Sequence, residues 1–139
     1  NDLTNIPSEI GKLKKLEALI LGDNSLTNIP SEIGMLQKLS YLSLSHNDLT
    51  NIPSEIGMLQ KWELSYLNLG GNDLTNIPSE IGVLLNLSYL DLSQNDLTNI
   101  PSEIGMLQKL TNLNLDLVEN IPIEVMMIIF NNSKKNGNK

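Results

Sequence analysis

The sequence has no cysteine and no arginine, and only one histidine, one tryptophan and one phenylalanine among 139 residues. Without cysteine there is no disulfide framework and no thiolate metal site. A single histidine excludes a multi-histidine metal centre and histidine-pair chemistry. All nine cations are lysine, so the guanidinium fork that grips phosphate or carboxylate in two places is missing. A formal net charge of −7 argues against nucleic acid and anionic membranes as partners. No apolar run approaches the roughly eighteen residues of a membrane span; the longest, Val125 to Phe130, is far shorter. These absences count against an enzyme, and nothing in the composition calls for a cofactor.

What is present is concentrated in three residue types. Leucine, asparagine and isoleucine number 27, 19 and 15, together 61 of 139. The bias comes from repetition. A unit reading Asn-(Asp/Ser)-Leu-Thr-Asn-Ile-Pro-Ser-Glu-Ile-Gly begins at Asn1, Asn24, Asn47, Asn72 and Asn95, at spacings of 23, 23, 25 and 23. Over those eleven positions the five copies differ once, at Ser25. A period in the twenties is the mark of a solenoid, in which each unit buries its apolar face only against its neighbours.

Between the units lies a leucine-rich stretch. Leu16 to Leu26 fits Leu-x-x-Leu-x-Leu-x-x-Asn-x-Leu, as do Leu39 to Leu49, Leu64 to Leu74 and Leu87 to Leu97. The central Leu-x-Leu alternates with period two, as a short strand with one buried face requires. Identical connections make successive strands parallel, and parallel strands need a crossover. Here the crossover holds Ile-Pro-Ser-Glu-Ile-Gly. Proline suits the first position of a helical turn, glutamate the first turn and glycine the exit. About one turn fits, so a short α or 3-10 segment is expected.

These residues resemble the leucine-rich repeat family over nearly the whole chain. The resemblance implies an α/β fold: a right-handed, curved solenoid with a parallel sheet on its concave face and short helical or 3-10 turns on the convex side. Strand spacing of about 4.8 Å against roughly 8–10 Å for packed helices makes curvature natural. The family also implies that Asn24, Asn47, Asn72 and Asn95 point inward as a ladder, where an amide can both donate and accept.

The expected organisation is a solenoid over residues 1–130 with about five repeats, the last degenerate, an apolar cap over 121–130, and a frayed polar tail over 131–139. Two departures punctuate it. Trp62 and Glu63 are extra residues before the third strand, and Trp62 either enters the core or projects at the sheet's edge as a partner anchor. After Leu115 the unit loses two residues and its ladder asparagine. Asn1 enters mid-unit, so the N-terminal end is expected to be uncapped and open to self-association through an unpaired strand edge.

Two files of variable positions should face the concave side. The first holds Ala18, Tyr41, Tyr66, Tyr89 and Asn112; the second Ile20, Ser43, Asn68, Asp91 and Asn114. All three tyrosines fall in one file, either as sheet packing or as a binding surface. His46, alone near the concave rim, has no second ligand or base repeating beside it. Glu9, Glu32, Glu55, Glu80 and Glu103 form a like-charge file on the crossover side, best taken as a solvated face.

The resulting expectation is a non-enzymatic module that binds a protein or peptide through Tyr41, Ser43, His46, Tyr66, Asn68, Tyr89, Asp91, Asn112 and Asn114. Residues 1–133 carry six lysines against sixteen acids, a balance of −10, so the partner should be neutral or basic. The alternative is a ligand-sensing segment of a longer receptor-like or signalling protein whose activity lies outside this chain. The 23-residue unit lacks the extra glycine of the 24-residue extracellular receptor repeats, and no cysteine-rich cap is present, which leans the expectation toward the cytoplasm.

Overall fold

A computed structural model describes residues 1–61, 63–116 and 119–136. Five three-residue strands, β1 (Ala18–Ile20), β2 (Tyr41–Ser43), β3 (Tyr66–Asn68), β4 (Tyr89–Asp91) and β5 (Asn112–Asn114), form one parallel sheet in sequence order. The register is constant: Ala18, Tyr41, Tyr66, Tyr89 and Asn112 lie side by side, and so do Leu19, Leu42, Leu67, Leu90 and Leu113. Between strands the chain crosses through 3-10 segments at Ser8–Lys12, Ser31–Met35, Ser54–Lys61, Ser79–Val83 and Ser102–Met106. Each crossover packs on the next, so the molecule is a solenoid with one continuous core.

That core is the alternation made solid. Leu42, Leu44, Leu67, Leu69, Leu90 and Leu92 reach it from the strand side, and Ile33, Ile56, Ile81 and Ile104 from the crossovers; every one is at most 1% exposed. The asparagines close each coil. The Asn72 Oδ1 accepts from the Leu49 N–H at 3.1 Å, while its Nδ2 donates to the carbonyls of Leu44 and Leu69, both at 3.0 Å. Asn47 and Asn95 repeat the pattern, and Asn24 accepts from the Leu3 N–H at 3.1 Å. Each amide thereby ties its own coil to the one before it.

The five crossovers from Ser8–Lys12 to Ser102–Met106 are all 3-10. Proline stands one place earlier than expected: Pro7, Pro30, Pro78 and Pro101 are the extended caps, with ψ between 134° and 153°. Their carbonyls accept the first i→i+3 bonds, as from Ile10 to Pro7 at 3.0 Å. Glycine has a second task beyond ending the turn, because adjacent coils touch there. A Cβ on Gly34 would lie 2.5 Å from the Glu55 carbonyl oxygen, and one on Gly82 would lie 2.6 Å from that of Glu103.

The insertion before β3 is absorbed on the crossover side. Ser54–Lys61 runs eight residues where the other 3-10 segments run five, and Tyr66 still pairs with Tyr41. Trp62 itself lies outside the described residues.

The last crossover becomes a helix, α1 (Ile123–Asn136). It starts as a sixth turn would, with the Pro122 carbonyl accepting from Val125 and Met126 at 3.0 Å and Val125 fully buried. Where earlier units place glycine, this one has Met126, and the turn continues as an α-helix. The helix covers the end of the core as a cap. It also runs through Asn131 to Asn136, the stretch expected to be a frayed tail; serine, lysine and asparagine there continue a helix that is already nucleated and docked. Residues 137–139 lie outside the described residues.

Candidate functional site

The outward face of the sheet carries the tyrosine file. Parallel pairing in fixed register sets Tyr41, Tyr66 and Tyr89 on adjacent strands, and their rings stack. Centroids are 3.9 Å apart for Tyr41–Tyr66 and 4.3 Å for Tyr66–Tyr89, with planes tilted by 6° and 8°. Both separations are shorter than the strand spacing of about 4.8 Å, as expected of side chains converging above a concave sheet. All three rings are half-buried.

One end of the stack is tied down. The Tyr89 hydroxyl donates to Asp91 Oδ2 at 3.3 Å, and Asn114 Nδ2 donates to the same carboxylate oxygen at 3.1 Å and to the Tyr89 hydroxyl at 3.3 Å. The other oxygen, Asp91 Oδ1, accepts from the Ser93 hydroxyl at 2.6 Å and the Ser93 N–H at 3.0 Å. Burial alone would push Asp91 up, but the donors of Ser93, Asn114 and Tyr89 outweigh it and bring the carboxyl below its ordinary 3.8. The Tyr89 phenol moves the other way, pushed up to about 12 by burial first and then by the nearby Asp91 charge and Tyr66. The neighbouring Tyr66 phenol, with burial, also raises Tyr41. At neutral pH the site is therefore a neutral aromatic column beside a fixed anion.

The expected site residues do not all share this surface. Tyr41, Tyr66, Tyr89, Asn68 and Asp91 are half-buried on it, and Asn112 and Asn114 are exposed. Ser43 is in register but only 8% exposed; it is a short side chain between Ile20 and Asn68, and its hydroxyl lies against that of Ser45 at 3.5 Å. His46 stands at the turn after β2 with a left-handed φ of 53°, as do Asp23, Gln94 and Gly71 at the equivalent places. Its ring lies over Gly71, in the space a Cβ there would fill. Trp62, a candidate edge anchor in the sequence, falls outside the described residues.

Two features had no sequence signal. The α1 residues Ile129, Asn132 and Ser133 wall a cavity of about 350 Å³ beside Tyr89, Asn112 and Asn114, because the helix extends past the apolar run. The spacing set Asp91 and Asn114 side by side in one file, but the hydrogen bonds that join them to Tyr89 and Ser93 had no signal in it. Among the described residues no group of histidine and carboxylate side chains could hold a metal ion, and no helix is long and apolar enough to cross a membrane.

Comparison with known proteins places this geometry. Family models described as leucine rich repeat match residues 1–52, 63–84 and 86–107. Among solved structures, a leucine-rich repeat protein of Leptospira interrogans is 38% identical over 92% of this chain and 38% of its own, with a TM-score of 0.65. The plant peptide hormone receptor RGFR1, in complex with RGF2, is 36% identical over 87% of this chain and 20% of its own, at 0.77. The ectodomain of the receptor kinase SOBIR1 from Arabidopsis thaliana is 28% identical over 84% of this chain and 64% of its own, at 0.72. The chain thus spans between a fifth and two thirds of the length of these structures. No curated protein matches significantly.

Proposed function

This chain belongs to the leucine-rich repeat family, and from that premise we propose that it is a recognition module, without catalysis of its own, that holds a protein or peptide across its concave sheet. The observation that carries the proposal is the stacked tyrosine column on the solvent side of β2, β3 and β4. Rigid phenol rings offer large contact area with few torsions to freeze. Asn68, Asn112 and Asn114 flank them with amides able to bond an extended backbone. The balance of −10 over residues 1–133 favours a neutral or basic partner.

Selection from a displayed random-peptide library tests the reading. Peptides that bind should lose affinity by about 1–2 kcal/mol or more on Tyr66→Ala and none on Met58→Ala, whose side chain is on the crossover side. Peptides insensitive to Tyr66 would move the binding surface elsewhere. A second reading makes the chain the sensing part of a longer receptor-like protein. The likeness to a hormone receptor that matches 87% of this chain but only 20% of its own favours it, and the complete reading frame would decide.

A further inference from the structure

The strand next to the cap helix keeps one edge free. The Asn112 N–H of β5 donates to the Ser88 carbonyl at 3.1 Å, and the Asn114 carbonyl accepts from the Leu92 N–H at 2.9 Å. Both residues thus bond toward β4. Backbone groups of successive strand residues point to opposite sides, so the Leu113 N–H and C=O face away from β4. Where a sixth strand would lie stands α1, and among the described residues nothing bonds the Leu113 pair. A cavity of about 350 Å³ separates that edge from the helix, with Leu113 on one wall and Ile129, Asn132 and Ser133 on the other. Most other polar groups there are engaged. Thr111 Oγ1 donates to the Ser88 carbonyl at 3.2 Å, Ser133 Oγ to the Ile129 carbonyl at 3.0 Å, and Asn114 Nδ2 to Asp91 and Tyr89. Asn132 differs: its Nδ2 is buried without a partner.

We propose that this cavity receives the carboxamide of a glutamine or asparagine side chain from the peptide partner. Its oxygen accepts from the Leu113 N–H and from Asn132 Nδ2, and its nitrogen donates to the Leu113 carbonyl. The inference rests on the recognition reading above and names the chemistry at the α1 end of the sheet. Three observations select a carboxamide. The N–H and C=O of one extended residue lie side by side, and a primary amide sets its acceptor and donor side by side too. A carboxylate brings no donor, an ammonium no acceptor and a hydrocarbon neither, so each leaves a polar group of the site unanswered. No charged side chain lines the cavity among the described residues, and the Asp91 carboxylate, bonded to Asn114 at 3.1 Å, disfavours a second anion. The volume lies at the small end of the roughly 300–1,000 Å³ of ligand sites, room for the end of one side chain. Tyr89 belongs both to this wall and to the ring column, so a peptide lying on the tyrosines reaches the cavity directly.

The test uses propionamide as probe, titrated into the isotope-labelled 139-residue chain and followed by NMR, with propionate and propylammonium as comparisons. Saturable shifts at Leu113, Ile129 and the Asn132 side-chain amide are expected, with both comparisons at least several-fold weaker. The Leu113 amide proton should exchange quickly in the free chain and slow as the probe saturates. Asn132→Leu puts a good helix former in place of an unanswered donor; it should fold, keep the tyrosine resonances and lose the shifts. Equal binding of propionate or propylammonium overturns the proposal, as do shifts that survive Asn132→Leu or a Leu113 amide already protected in the free chain. Among selected peptides that depend on Tyr66, changing a glutamine or asparagine to the matching acid should cut affinity several-fold for the chain but not for Asn132→Leu. If Tyr66-dependent peptides show no such loss, only this inference falls. If no selected peptide depends on Tyr66, the recognition reading itself falls.

Discussion

At the scale of single residues, the least replaceable side chains are the ladder asparagines. Asn72 is 6% exposed and satisfies the Leu49 N–H together with the carbonyls of Leu44 and Leu69. Alanine there orphans the Leu49 N–H in a buried place, while the Leu44 and Leu69 carbonyls each keep one amide donor, from Asn47 and Asn95. An orphaned buried donor costs about 1–3 kcal/mol, so Asn72→Ala should lower stability by about that amount in urea denaturation. A loss below about 1 kcal/mol would mean that the coil relaxes to readmit water. The tyrosine column makes a different prediction, on pH. Tyr89 has an ordinary value of 10.0 and is pushed up to about 12 in the fold. Below pH 10 both folded and unfolded chains keep the proton. Through the window from 10 to about 12 only the unfolded chain releases it, so stability must fall as pH rises. On the acid side Asp91, lowered below 3.8, contributes stability above that value which is lost as pH falls through its folded pKa. Phenolate absorbance should show late ionisation of Tyr89, and Tyr89→Phe should flatten the alkaline loss. Normal titration of Tyr89 would contradict its burial in the column.

At the scale of elements, the crossover glycines leave little room between adjacent coils. A Cβ on Gly82 would lie 2.6 Å from the Glu103 carbonyl oxygen, whereas on Gly22 the nearest atom is the Ser45 hydroxyl oxygen at 3.1 Å. The Ser45 backbone oxygen also lies near Gly22, but at 3.2 Å it leaves far more room than the 2.6 Å at Gly82. Gly82→Ala should therefore destabilise by about 1–3 kcal/mol and Gly22→Ala by less, read as urea midpoints; equal effects would place the tight contact elsewhere. The same element shows how far the sequence could be followed. Leu-x-Leu alternation dictated the strands and their inward leucines, and identical connections dictated parallel register, so the tyrosine file was legible before any coordinates. What escaped was set by contacts between coils. Glycine was legible as a turn exit but not as the point where the next coil touches. Proline was legible as a turn starter but not as the extended residue just before it. The polar run Asn131 to Asn136 has no helical pattern of its own and is helical because it continues a docked turn. Ser43 followed the right periodicity, yet its small side chain is shadowed by its neighbours. Asp91 was legible as a surface charge, but its junction with Tyr89, Ser93 and Asn114 depends on side-chain directions that spacing does not encode.

At the scale of the whole molecule, the two ends of the stack differ from its flanks. Among the described residues β1 pairs only with β2, so no described strand lies beside its outer row of N–H and C=O groups. Around that edge Leu3, Leu13 and Ile20 are 40%, 49% and 67% exposed. At the other end α1 buries Val125, yet turns Ile123, Met126, Met127 and Phe130 outward at 51% to 70% exposure, the i, i+3, i+4, i+7 stripe of a helix with a free apolar face. Unpaired edges and apolar faces recruit other chains. Two different sticky ends give head-to-tail contacts that need not close on themselves. The 139-residue chain should accordingly self-associate with rising concentration in sedimentation velocity. Because residues 1–133 carry a balance of −10, like-charge repulsion opposes that association, and added salt, by screening it, should strengthen the oligomer. Leu13→Lys and Phe130→Lys probe the two ends separately. If contact is head-to-tail, either alone should restore the monomer. If two β1 edges meet each other, only Leu13→Lys should do so. A monomer at every concentration and salt would mean that neither the β1 edge nor the outer face of α1 is adhesive enough to overcome the charge.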